Sequence, residues 1–310
     1  MFIVTGGAGF IGANLVKALN QQGHSDILVV DDLTDGRKFV NLATAEIADY
    51  LDRDEFRERI AAGENFGPVE AVFHQGACSD TTEWDGRYML DNNFEVSKEI
   101  YAWCRSAGVP LVYASSAAVY GASTDFREDG AGPAPLNVYG WSKLMFDRWV
   151  ARQPPDPKMR AVGLRYFNVY GPGEAHKGRM ASVIHHFDRQ IRETGVGRLF
   201  GASHGYGDGE HRRDFVFVGD AVKANFWALE NGRANGVYNV GTGASRSFND
   251  VARAVIASRG RGTIEYVPCP DDLKAAYQAF TEADIGRLRR DGFAEPFVPI
   301  EDGVRLTLGN

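Results

Sequence analysis

The run Thr5-Gly6-Gly7-Ala8-Gly9-Phe10-Ile11-Gly12 constrains what this chain can fold into more than any other feature. It follows a short apolar stretch, Phe2 to Thr5, and leads into Ile11, Leu15, Ala18 and Leu19, apolar residues at helical spacing. A strand that enters a helix through spaced glycines has a physical logic. Gly6 permits a tight turn, Gly9 lets a pyrophosphate approach the backbone, and Gly12 brings helix onto strand. The helix N-terminus, with Phe10 and Ile11 in its first turn, then faces the phosphates. Gly23 ends the predicted helix, and the next apolar run, Ile27 to Val30, closes on the acid Asp31, the position that bonds a ribose in such folds. The stretch predicts a dinucleotide site.

Asp31 and Asp32 by themselves favour NAD. Arg37, Lys38 and Arg53 lie just beyond that strand, where cations can hold a ribose 2'-phosphate and offset the acids, so the cofactor is read as NADP.

The rhythm continues through Ala71 to His74, Leu111 to Ala114, which reads as the fourth strand, and Ala161 to Phe167. Strands alternating with helical stretches mean βαβ units and a parallel sheet. The expected fold is α/β, a Rossmann-type doubly wound parallel sheet with a smaller, interleaved C-terminal substrate lobe. A dinucleotide-binding domain is expected over 1–170, with returning segments near 214–243 and 278–292, and the substrate lobe mainly over 171–310.

A chain of 310 residues with 44% hydrophobic and 24% charged residues is an ordinary globular protein. Its net charge of -7 offers no basic footprint for nucleic acid. No apolar run approaches the roughly 18 to 20 residues that span a bilayer, and Met1 passes straight into Phe2-Ile3-Val4 without a basic flank. Cys78, Cys104 and Cys269 lie far apart, without redox or metal spacing, and suit a reducing cytoplasm. No metal site is expected: His185 and His186 are adjacent, so they leave a helix in different directions, and nothing completes a ligand set.

Tyr139 and Lys143 stand four apart, one turn of helix, so both side chains leave the same face. A phenol with a reference pKa near 10 is a poor base at neutral pH, and an ammonium beside it favours the phenolate. The same Lys143 can hold a nicotinamide ribose. Ser116, within Ala114-Ser115-Ser116-Ala117-Ala118, follows the strand at Leu111 and falls at the carboxyl edge of the sheet, where its hydroxyl can bond a substrate oxygen.

Thr5 to Gly12, the set Ser116, Tyr139 and Lys143, and the run Arg165-Tyr166-Phe167-Asn168-Val169-Tyr170-Gly171-Pro172 together resemble the extended short-chain dehydrogenase/reductase family over almost the whole chain. The stretches His74 to Ser79, Thr82 to Gly86, Pro135 to Gly140 and His176 to Ser182 resemble, within it, the epimerases of ADP-heptoses. That resemblance implies Tyr139 and Lys177 as the two acid/base residues, Lys143 on the ribose and Ser116 on the reacting oxygen. For the cofactor it implies further contacts from Gln75, Gly76, Ala77, Cys78, Ser79, Asn92, Val169 and Lys177. For the nucleotide sugar it implies Asn168, Arg179, His186, Phe200, Gly201, Ala202, Ser203, Arg213 and Tyr277. It also implies a homo-oligomer, with the pentamer as the assembly the resemblance suggests. Three departures stand out: Asp32 in place of an expected Asn, Arg179 where a small polar residue is familiar, and a longer stretch from Gly205 to Glu210.

Inverting an unactivated carbinol requires a planar intermediate, which a dinucleotide supplies by transient oxidation, and one acid or base on each side of the carbon. Rival readings fit less well. A nucleotide-sugar dehydratase of this family places Asp-Glu directly after the serine, where this chain has Ala117 and Ala118. A UDP-hexose 4-epimerase leaves His176-Lys177-Gly178 unexplained, and a non-catalytic NADP-binding redox sensor typically lacks the Tyr-Lys pair.

Overall fold

A computed structural model describes residues 1–130, 132–270 and 278–309. In chain order the first half runs β1 (Phe2–Thr5), α1 (Phe10–Gln21), β2 (Ile27–Asp31), β3 (Asp49–Asp52), α2 (Arg53–Ala61), β4 (Ala71–His74), α3 (Gly86–Leu90), α4 (Val96–Ala107), β5 (Leu111–Ser116), α5 (Val138–Ala151) and β6 (Ala161–Tyr166). The second half runs β7 (Asn168–Tyr170), α6 (Val183–Thr194), β8 (Val196–Phe200), β9 (Arg212–Arg213), β10 (Phe215–Phe217), α7 (Val218–Glu230), β11 (Gly236–Val240), β12 (Arg246–Ser247), α8 (Phe248–Arg259) and β13 (Thr263–Val267), with helices at Gly286–Arg290 and Ile300–Leu308.

Seven parallel strands form the main sheet in the order β11-β6-β5-β4-β1-β2-β3, the doubly wound arrangement. Successive side chains of a strand point to opposite faces, and both faces here are buried. Val4, Val29 and Phe73 pack beneath α1 and α7 with Leu15, Val16, Leu19 and Val222. Ile3, Leu28, Val30 and Val72 pack on the other face with Phe56, Ile100, Trp103 and Phe146. The continuous apolar runs follow from that two-sided burial. Helix α1 stops where Gly23 takes φ +89° and its amide donates to Asn20 O, as the sequence expects.

The run at Leu111 is the fifth strand in chain order, not the fourth, because Asp49–Asp52 pairs with β2 at the sheet edge. Only Leu51 of that strand is buried, so it carries too little apolar pattern to stand out.

The smaller lobe is built from β8 paired with β13, β9 with β12, and β7 with β10. Its core joins Ile184, Phe187, Ile191, Leu199, Val251, Val255 and Val304 around Tyr170. Gly303 lets the C-terminal helix sit on that ring, since a Cβ there would lie 1.9 Å from the Tyr170 hydroxyl. The lobes share the chain: β11 returns to the main sheet beside β6 after β10 has paired with β7. Among the described residues no helix is long and apolar enough to cross a membrane.

Candidate active site

The carboxyl ends of β1, β2, β4, β5 and β6 open on a cavity of about 730 Å³ between the two lobes. Gly6, at φ +66°, packs so tightly on the next crossover that a Cβ would lie 2.6 Å from Gly76 N. A Cβ on Gly12 would lie 2.1 Å from Gly6 O, so the third glycine is what seats α1 against the loop. Gly9 precedes α1, and no side chain caps that N-terminus. Its first amides are left to a phosphate, and the cradle fits the pyrophosphate of a dinucleotide.

Asp31 does something the sequence reading did not anticipate. Its Oδ2 accepts from the amides of Ala8 (2.8 Å) and Gly9 (3.1 Å), and its Oδ1 accepts from Asp32 N and Lys38 Nζ, both at 2.7 Å. The acid therefore braces the glycine loop. Asp32 is more exposed, and hydrogen bonds from Thr34 hold its carboxyl below the usual range. Lys38 and Arg53 line the same end of the cavity, and Arg53 donates to Asn92 Oδ1 at 2.7 Å. Arg37 is clamped by Asp35, with its side chain 84% exposed, and does not line the cavity.

At the other end, Asn137 caps α5 by accepting from Gly140 N, which sets the register that brings Tyr139 and Lys143 into the cavity. Ser116 lines the cavity together with Tyr139, and its hydroxyl favours the Tyr139 phenolate. Burial nevertheless pushes that phenol up, opposed only in part by Ser116. The expected lowering by Lys143 is not what the structure shows, because the Lys143 amine donates instead to Ala114 O at 3.0 Å. Burial pushes Lys143 itself down to about 8, with Asp147 acting the other way.

Lys177 arrives from the opposite lobe, on a short turn over Ala175–Met180. Its Nζ lies 5.2 Å from the Phe10 ring centroid, and burial pushes its amine down, opposed by Glu174. Glu174 is buried and accepts from Ser182 N and Ser182 Oγ, both at 2.6 Å, which ties the turn to the start of α6.

The cavity brings together Gly6, Gly9, Phe10, Ile11, Gly12, Asp31, Asp32, Lys38, Arg53, Gln75, Gly76, Ala77, Cys78, Ser79, Asn92, Ser116, Tyr139, Lys143, Asn168, Val169 and Lys177. Arg179, His186, Phe200, Gly201, Ala202, Ser203 and Arg213 do not line it. Arg179 donates to Thr82 Oγ1 at 3.0 Å, and Ser203 Oγ meets His211 Nε2 at 2.8 Å in the Gly-rich segment. Tyr277 lies outside the described residues.

Three supporting residues escaped the sequence reading. Asn93, in a π-helical turn over Asp91–Glu95, accepts from Cys78 N and donates to Cys78 O and Ser142 Oγ, joining the 75–79 loop to α5. His74 is buried, with Nδ1 at 2.6 Å from Thr5 Oγ1 and Nε2 at 2.9 Å from Ser97 Oγ. Asn41 bonds both Ala8 O and His176. Each acts across a long sequence separation, so no local spacing announces it.

The NAD dependent epimerase/dehydratase family matches residues 2–241. An ADP-L-glycero-D-manno-heptose-6-epimerase from Alkalilimnicola ehrlichii is 57% identical over 98% of this chain and 95% of its own length. Among solved structures, the Helicobacter pylori ADP-L-glycero-D-manno-heptose-6-epimerase superposes with a TM-score of 0.85 at 29% identity, covering 99% of this chain and 94% of that one. The Thermus thermophilus UDP-glucose 4-epimerase in complex with NAD gives 0.82 at 30% identity, covering 99% and 97%. With the glycine loop, the Tyr139-Lys143 pair and the doubly wound sheet already in place, these likenesses settle the family: the chain belongs to the NAD dependent epimerases and dehydratases.

Proposed function

We propose that this protein interconverts ADP-D-glycero-β-D-manno-heptose and ADP-L-glycero-β-D-manno-heptose by transient oxidation at C6 with bound NADP, supplying the heptose precursor of the lipopolysaccharide core. The observation that carries the reading is the entry of Tyr139 and Lys177 into one cavity from two different lobes. The 57% likeness to a heptose 6-epimerase supports the choice of sugar.

A bound nicotinamide dinucleotide supplies reversible two-electron oxidation, which makes the reacting carbon planar. The chain supplies everything else. The uncapped start of α1 receives the pyrophosphate, Lys38 and Arg53 the adenosine 2'-phosphate, and Lys143 the nicotinamide ribose. Burial raises the Tyr139 phenol and lowers the Lys177 amine, so each group's uncharged form is more accessible than it would be in water. Tyr139, in the same cavity as Ser116, gives or takes the C6 hydroxyl proton for one configuration, and Lys177 does so for the other. The proposed substrate contacts from Asn168, Arg179, His186, Phe200 to Ser203, Arg213 and Tyr277 would hold the nucleotide and sugar while C6 turns over. Assembly as a homo-oligomer belongs to the same reading.

Incubation of purified protein with ADP-D-glycero-D-manno-heptose and no added NADPH tests the proposal. Formation of the L-glycero epimer is expected. Turnover of UDP-hexoses alone would replace it with the 4-epimerase reading.

A further inference from the structure

The segment that carries Lys177 is fastened to the dinucleotide half of the molecule at several points, among them Arg179, which donates to Thr82 Oγ1 at 3.0 Å. Asn14 Nδ2 donates to Pro172 O at 3.0 Å. The Lys177 amine sits over the Phe10 ring at 5.2 Å. Asn41 makes a further connection, and it joins the glycine loop directly to the residue beside Lys177. Its Nδ2 lies 3.0 Å from Ala8 O in the glycine loop and 3.1 Å from Nδ1 of His176, the residue next to Lys177.

The chemistry of that clasp is directional. An amide nitrogen can only donate, so His176 Nδ1 accepts and the neutral ring carries its proton on Nε2. Burial and the charges of Lys38 and Lys177 push His176 down, consistent with a neutral ring. Asn41 is 5% exposed, so its hydrogen bond to Ala8 O is shielded from competing water and its bond to His176 is partly so. It ends the Gly36–Asn41 turn that also carries Lys38. The two ends of the cavity are thus mechanically joined: what orders the glycine loop and the Lys38 turn also orders His176 and hence Lys177.

We propose that Asn41 is a positioning residue for Lys177, holding the second acid/base in register with the dinucleotide loop. The inference rests on the reading of Lys177 as an acid/base. A group displaced by about 1 Å can lose on the order of 100-fold in rate. Loss of the clasp therefore slows proton transfer without emptying the site.

Asn41→Ala and His176→Phe, the second keeping a ring while removing the acceptor, are compared with wild type for kcat, substrate KM and retained dinucleotide. Each is then repeated in a Lys177→Met background. Either variant alone should lower kcat roughly 10- to 100-fold, with KM within about threefold and dinucleotide retained. In the Lys177→Met background neither should lower kcat further. The proposal is overturned if both variants keep wild-type kcat, if they shed dinucleotide, or if they cost the same factor with Lys177 already gone. A fully active Lys177→Met enzyme would instead overturn the acid/base reading itself. Should Asn41→Ala fail to fold, His176→Phe decides alone, since its partly exposed ring is not part of the core.

Discussion

The Lys38 ammonium lies 2.7 Å from the Asp31 carboxylate, which also accepts the amides of Ala8 and Gly9. The acid that in other dinucleotide folds faces the ribose is committed here to the loop, and Lys38 is held at the cavity rim by the same carboxylate. Cofactor choice should therefore turn on the cation. Lys38→Glu should shift the NADP to NAD affinity ratio by roughly 10- to 100-fold toward NAD, the range of one charged hydrogen bond. The ratio cancels any loop damage common to both cofactors. An unchanged ratio in binding titrations would remove Lys38 from the 2'-phosphate site.

Acid stability should report His74. Complete burial lowers this imidazole from 6.5 to about 3. Above pH 6.5 neither folded nor unfolded chain carries the proton, so the stability is fully present there. Below 6.5 the unfolded chain takes up a proton that the folded one refuses, so stability falls as pH drops from 6.5 toward 3. The loss is about 1.4 kcal/mol per pH unit over most of that window. Urea unfolding from pH 7 to pH 4 should show wild type losing this much more than His74→Gln. Parallel curves would contradict the buried neutral ring.

The alkaline limb of activity should belong to Lys143. Its charged form is present below about 8 and disappears above it. Asp147 favours that charge, while its Oδ2 accepts from Ser115 and Arg165, both at 2.9 Å. Asp147→Asn keeps acceptor oxygen for those partners but removes the negative charge, so the Lys143 amine should lose its proton more readily. The descending limb of kcat/KM should then move to lower pH. A limb that stays in place would assign it to another group.

The glycine loop, the fully buried strands and the Tyr139-Lys143 pair were legible because each is encoded within a few residues. The strand at Asp49–Asp52 was not, since Leu51 is its one buried side chain and edge strands carry little apolar pattern. The π turn at Asp91–Glu95 reads like the helix around it, and only the buried bonds of Asn93 reveal its purpose. Electrostatics were the least legible. Spacing alone suggests that Lys143 lowers the Tyr139 pKa, whereas burial raises it and the Lys143 amine is engaged by the Ala114 carbonyl. Asn41 and His176 stand 135 residues apart, beyond any motif.

The pairing of Tyr139 with Lys177 is the centre of this account, and single-residue variants assayed for binding and turnover together test it most directly. Tyr139→Phe keeps the ring and Lys177→Met keeps the chain length, so each removes one proton carrier with little change in packing. Both variants should bind ADP-heptose within a few-fold of wild type and epimerise it roughly 10²- to 10⁴-fold more slowly, the usual worth of general acid/base assistance. A Lys177→Met enzyme that epimerises at the wild-type rate would leave Tyr139 as the sole proton carrier and contradict the two-sided mechanism.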